Sequence, residues 1–116
     1  MSDITLYHNP GCTTSRNALA MIRETGVEPV VVEYLKTGWT KAQLTDLLAA
    51  MGKAPRDILR VRGTPAVELG LTDPGVSDDK ILLAMIAHPI LVERPIVRTP
   101  KGARLGRPVD IIREVL

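Results

Sequence analysis

Between Ile4 and Tyr34 the spacing of apolar residues switches from alternating to helical and back again. Ile4-Thr5-Leu6-Tyr7 alternates as a strand does. Ala18, Leu19, Met21 and Ile22 recur at helical spacing, and Val30-Val31-Val32-Glu33-Tyr34 returns to a strand-like run. The predicted elements cover about 3–7, 15–25 and 30–34, with Gly26 placed to close the helix. Strand, helix and strand joined this tightly form a crossover unit, whose two strands must run parallel.

The remaining pattern is helical and then hairpin-like. Leu44, Leu47, Leu48 and Met51 share one helix face, with Thr40 as N-cap and Gly52 as the stop. A shorter helix is expected over 54–61. Gly63-Thr64-Pro65 and Asp73-Pro74-Gly75 are turn signals. Ser77-Asp78-Asp79 opens another helix, which turns Ile81, Leu82, Met85 and Ile86 inward and ends near His88-Pro89. After Arg94-Pro95, Ile96-Val97-Arg98 and Ala103-Arg104-Leu105 flank the turn Thr99-Pro100-Lys101-Gly102 as a β-hairpin. Val109, Ile112, Val115 and Leu116 line a final helix with Pro108 at its first position.

The order βαβ, helices, ββα predicts an α/β, thioredoxin-like fold with a helical insertion between the N-terminal βαβ and C-terminal ββα units. The expectation is one domain over 1–116, with the insertion at about 40–90. A proline just before the first hairpin strand suits that fold, which makes Pro95 the candidate cis-proline. Tyr7, Tyr34 and Trp39 are the only aromatic residues, so the core must be aliphatic.

Charge and cysteine content narrow the function classes. Fifteen basic against 13 acidic residues leave a net charge of +2, with no basic tract interleaved with aromatics, so nucleic acid is not an expected partner. No apolar run approaches the roughly 20 residues that span a bilayer. The opening Met1-Ser2-Asp3-Ile4 does not read as a secretory signal. A lone cysteine makes no intrachain disulfide, and with His8 and His88 as the only imidazoles no zinc site is expected. The expected setting is a reducing cytoplasm.

That cysteine carries the chemistry. Cys12 lies in His8-Asn9-Pro10-Gly11-Cys12-Thr13-Thr14-Ser15-Arg16-Asn17, in the turn between the first strand and the first helix. Unpaired N–H groups and the positive end of the helix dipole stabilise a thiolate there and bind oxyanions. His8 and Arg16 are the nearest bases, each four positions away. Thr13, Thr14 and Ser15 can donate to an anion or cap the helix. His8 suits a structural or a catalytic role, and His88, before Pro89, a structural one. Arg60, Arg94 and Arg107 fall at the ends of predicted elements. Singly, each suits a solvated surface; converging on Cys12, they would grip a tetrahedral oxyanion. A phosphatase-type loop would need arginine where Ala18 stands, and a dithiol oxidoreductase a second cysteine where Ser15 stands.

The run HNPGCTTSRN, with ERPIV at 93–97 and LGRP at 105–108, resembles the glutathione- and glutaredoxin-dependent arsenate reductases of the ArsC type. The resemblance extends from Ile4 to the C-terminal helix. It implies a Cys12 thiolate that attacks arsenate, with His8, Ser15 and Arg16 favouring the thiolate and Arg60, Arg94 and Arg107 binding the oxyanion. It also implies glutathione as co-substrate, glutaredoxin as partner, no bound cofactor or metal, and a monomer. Thr13 departs from the smaller residue that many relatives carry. Two other readings compete: a monothiol glutaredoxin-like exchange protein, and a non-enzymatic transcription regulator of the Spx type.

Overall fold

A computed structural model describes residues 3–116; Met1 and Ser2, part of the stretch read above as lacking a secretory signal, lie outside the described residues. The chain divides into two compact units, one running up to Thr37 and resuming at Arg94–Leu116, the other Gly38–Glu93.

The first unit holds the sheet. Its strands are β1 (Thr5–Tyr7), β2 (Val30–Val32), β3 (Ile96–Thr99) and β4 (Gly102–Leu105), in the order β2-β1-β3-β4. β1 and β2 are parallel, with Leu6 opposite Val31, as the short crossover requires. β3 runs antiparallel to both β1 and β4, pairing Leu6 with Val97 and Val97 with Arg104. A parallel βαβ unit joined edge-on to an antiparallel hairpin is the thioredoxin-like arrangement. Helix α1 (Thr13–Glu24) is the crossover, and Ala18, Met21 and Ile22 on its inner face bury against Leu6, Val97, Ile112 and Val115.

Three local differences from the sequence reading have physical causes. α1 begins two residues earlier than predicted, because Cys12 itself is the N-cap. The expected strand 30–34 stops at Val32: the Glu33 carbonyl accepts the N–H groups of Lys36 and Thr37, starting the single turn α2 (Tyr34–Thr37). The final helix is a 3₁₀ helix over Val109–Val115, so its inward residues Val109, Ile112 and Val115 recur every third position. Pro108 caps that element instead of opening it, with an extended backbone.

The second unit is helical. α3 (Lys41–Met51) opens with a capping box in which Thr40 Oγ1 accepts from Gln43 N and Gln43 Oε1 accepts from Thr40 N. It closes at Gly52, whose left-handed φ of 67° favours glycine. α4 (Asp78–Ala87) is capped by Ser77, whose Oγ accepts from Lys80 N. The helix expected at 54–61 is a 3₁₀ turn at Pro55–Ile58. Beyond it, Leu59 bridges Val92 in antiparallel register. Leu44, Leu47, Ile58, Ile81, Met85 and Leu91 are fully buried.

Candidate active site

The site starts from the helix cap. At an α-helix N-terminus the first N–H groups have no intrahelical acceptor, and a Ser, Thr, Asp or Asn oxygen ordinarily supplies one. At α1 a sulfur occupies that position. Cys12 has the extended backbone of an N-cap (φ −101°, ψ 122°), and its carbonyl accepts from Arg16 N at 3.0 Å. No regular side-chain capping bond closes. The thiol is half-buried, and that burial pushes its pKa up. The Ser15 N–H, the Arg94 side chain (as hydrogen-bond donor and as charge) and the Thr14 N–H act the other way, and the net result is a thiol below its ordinary range.

The loop before Cys12 is held by its own polar atoms. Asn9 accepts Cys12 N at its carbonyl, 3.0 Å away, and Gly11 N at Oδ1, also 3.0 Å away. Ser15, fully buried, accepts Asn9 N at 3.1 Å through Oγ, and that oxygen lies 2.6 Å from His8 Nδ1. His8 therefore engages Ser15. Burial lowers the His8 pKa most, Glu33 opposes, and Arg16 and Arg23 lower it further, which favours the neutral ring. Arg16 ties the loop from outside: Nη1 donates to Pro10 O at 2.8 Å and Nη2 to Thr13 Oγ1 at 3.1 Å. His8, Ser15 and Arg16 thus surround the cysteine loop as expected from spacing. Their side chains hydrogen-bond within the loop, and the Ser15 backbone N–H acts on the sulfur.

Two of the arginines meet at Cys12. Arg107 Nη2 lies 3.8 Å from Sγ, and its Nε donates to Arg94 O at 2.9 Å, which couples the two arginines. The Arg94 guanidinium lowers the thiol pKa, through hydrogen bonding and through its charge. Its Nε and Nη1 are buried without a hydrogen-bond partner among the described residues. Leaving charged donors unsatisfied is costly, on the order of 1–3 kcal/mol or more each, so native proteins rarely retain them without a use. The peptide bonds Arg94–Pro95 and Arg107–Pro108 are both cis. Gly106 N donates to Pro95 O at 2.8 Å, and a Cβ on Gly106 would come within 2.9 Å of the Pro95 ring and 3.0 Å of Ile112. Glycine is therefore what lets these two Arg-Pro segments approach each other.

Arg60 lies in the helical unit, where its Nη1 donates to Glu93 Oε1 at 2.8 Å. Asn9, Gly106 and Glu93 lie within the quoted motifs, but the sequence reading assigned them no role. Asn9 was findable, since Asn readily closes a turn onto the N–H two residues on. Glu93 was not, because its partner is 33 positions away. No group of three or more His, Cys, Asp or Glu side chains able to hold a metal occurs among the described residues, and none of their helices is long and apolar enough to cross a membrane.

Known proteins resemble this chain over nearly its whole length. The chain is 52% identical over 113 residues to an arsenate reductase of Rhizobium meliloti (strain 1021), covering 97% of this chain and 81% of that protein. It is 49% identical over 116 residues to an arsenate reductase of Escherichia coli (strain K12), covering all of this chain and 82% of that one. The solved structure of an arsenate reductase from Vibrio cholerae superposes with a TM-score of 0.92 at 38% identity, over 97% of each chain. The model of the ArsC family matches residues 7–115, and the chain belongs to that family.

Proposed function

We propose that this protein is an arsenate reductase that uses Cys12 as its nucleophile. The observation that carries the reading is the Arg94 guanidinium. It lowers the pKa of the Cys12 thiol and keeps two buried donors, Nε and Nη1, without an acceptor among the described residues. Arsenate is a tetrahedral oxyanion whose oxygens suit donors of that kind. The strong identity to arsenate reductases supports the same conclusion.

In this reading Arg94 and Arg107 take arsenate oxygens while the Cys12 thiolate attacks arsenic. Protonation of a departing oxygen releases water as the S–As bond forms. The chain has one cysteine, so the reducing thiols must come from outside. Glutathione displaces a second oxygen as water. Glutaredoxin then attacks the glutathione sulfur, forming a mixed disulfide and leaving the electron pair on arsenic. Two thiols are oxidised to one disulfide and As(V) becomes As(III). Hydrolysis of the remaining S–As bond frees arsenite and the thiol. Arg60 is assigned as a third oxyanion arginine on the family resemblance alone. Glutathione as co-substrate and a monomeric state follow from the same resemblance, and the lone cysteine suits a reducing cytoplasm.

The experiment is arsenate-dependent NADPH oxidation coupled through glutathione reductase, glutathione and glutaredoxin, run beside Cys12→Ser. A rate requiring arsenate, glutathione and Cys12 is expected. A rate that survives Cys12→Ser would remove the nucleophile assignment, and thiol exchange without arsenate dependence would favour the glutaredoxin-like alternative.

A further inference from the structure

Gly106 differs in kind from most glycines of this chain. Six of the nine adopt a positive φ, where a side chain would be strained, and Gly106 is not among them. An alanine could take its backbone, so glycine supplies room there and nothing else. Gly106 and Pro95 are buried, and Ile112 is fully buried in the core of the sheet unit. A Cβ on Gly106 would meet Pro95 Cγ at 2.9 Å and Ile112 Cγ2 at 3.0 Å, well inside the separation at which carbon atoms pack.

The hairpin register shows what the room is for. β3 and β4 pair Ile96 with Leu105, and Gly106 N donates to Pro95 O at 2.8 Å, so the ladder runs one rung past the ends of both strands. Pro95 has no N–H to return that bond. The next residues on the two segments are Arg94 and Arg107. There Arg107 Nε donates to Arg94 O at 2.9 Å, and its Nη2 lies 3.8 Å from Cys12 Sγ. All of these residues belong to the unit that holds the sheet. We propose that Gly106 is a positioning residue for oxyanion binding: its missing side chain keeps the end of β4 against Pro95, which brings Arg107 level with Arg94 so that both guanidiniums meet one arsenate. The inference rests on the reading of Arg94 and Arg107 as the arginines that take arsenate oxygens. A methyl group at 106 has no space to enter between Pro95 and Ile112, because both are packed in the interior. The exposed Arg107 is what gives way, and its bond to Arg94 O weakens with it.

The test is steady-state kinetics in arsenate, with glutathione and glutaredoxin saturating, for Gly106→Ala, Arg107→Ala and the double variant Gly106→Ala/Arg107→Ala, each with its Tm. Gly106→Ala is expected to raise KM for arsenate about fivefold to tenfold with kcat within about twofold, the pattern of lost binding. In the Arg107→Ala background Gly106→Ala should add nothing. Ile112→Leu removes Cγ2 at similar volume, so Gly106→Ala should raise KM by less when Ile112→Leu accompanies it. Should Gly106→Ala alone fail to fold, that pair is compared with Ile112→Leu and is expected to show the smaller rise. Gly52→Ala, strained at a φ of 67° in the helical unit, should lower Tm and leave KM unchanged, which separates stability from positioning. A KM increase that persists in the Arg107→Ala background would overturn the inference. So would an effect undiminished by Ile112→Leu, a fall in Tm with KM unchanged, or an equal rise in KM for Gly52→Ala. If Arg107→Ala raises KM and Gly106→Ala does not, the positioning role fails and the reading of Arg107 stands. If Arg107→Ala leaves KM unchanged, the reading of Arg107 fails and the positioning role with it.

Discussion

α1 and α3 begin in opposite ways. At α3 the Thr40 hydroxyl accepts an N–H of the first turn and Gln43 returns the bond, so the helix end satisfies itself. At α1 the corresponding position holds Cys12, no regular capping bond closes, and the Ser15 and Thr14 N–H groups act on the sulfur. Nothing about helix formation calls for that substitution, since sulfur is a weak acceptor and a hydroxyl caps well. In the proposed reading, the α1 terminus gives up local stabilisation in order to hold an anion, first the thiolate and then the oxyanion it attacks. The α3 terminus has only the helix to hold.

Exchanging the sulfur for oxygen is the strongest test of this contrast. Cys12→Ser should take arsenate turnover below detection while leaving the thermal midpoint unchanged or raised, since the new hydroxyl can cap α1 as Ser77 caps α4. A variant that lost activity by unfolding would show a lowered midpoint. Arg94→Lys comes next. It keeps the charge and loses the fork, and at about 1.5–3 kcal/mol for a charge-assisted bond it should lower kcat/KM for arsenate by about ten- to a hundredfold. Unchanged kinetics would detach Arg94 from the oxyanion. Ser15→Ala should act through the loop, because it strands the Asn9 N–H and His8 Nδ1 in a buried setting. A stability loss of about 1–3 kcal/mol in urea unfolding is expected, with slower alkylation of Cys12 near neutral pH. The smallest effect belongs to the other helix. Thr40→Ala should cost about 1 kcal/mol of stability with arsenate kinetics unaltered, measured by the same two assays.

The sheet was readable from the sequence because its signals are local. Alternation at Ile4–Tyr7, helical spacing at Ala18–Ile22 and the turn between the hairpin strands each fall within one element, and short connections dictate how those elements pair. Thr40, Gly52 and Ser77 were equally visible, since caps are read from adjacent residues. The 3₁₀ character of Val109–Val115 was overlooked although Val109, Ile112 and Val115 repeat at intervals of three; a short amphipathic segment reads as α-helix by default. α2 was masked because Tyr34 continues the apolar run of β2. In the site, Cys12 announced itself by its strand-to-helix turn. The coupling of Arg107 to Arg94 and of Arg60 to Glu93 spans 13 and 33 positions, and only tertiary structure shows it. His8 was placed beside the thiol by spacing, but its ring turns to Ser15, a choice of rotamer that sequence does not encode.

The direct measurement is a pH titration of the Cys12 thiolate by its absorbance near 240 nm, with Arg94→Lys alongside. Because the folded-state pKa is lowered, thiolate should persist to a lower pH than in an unstructured cysteine peptide, and Arg94→Lys should move the transition upward toward the peptide value. A transition at or above that of the peptide, unmoved by Arg94→Lys, would contradict the assignment of the α1 N-terminus as a thiolate site.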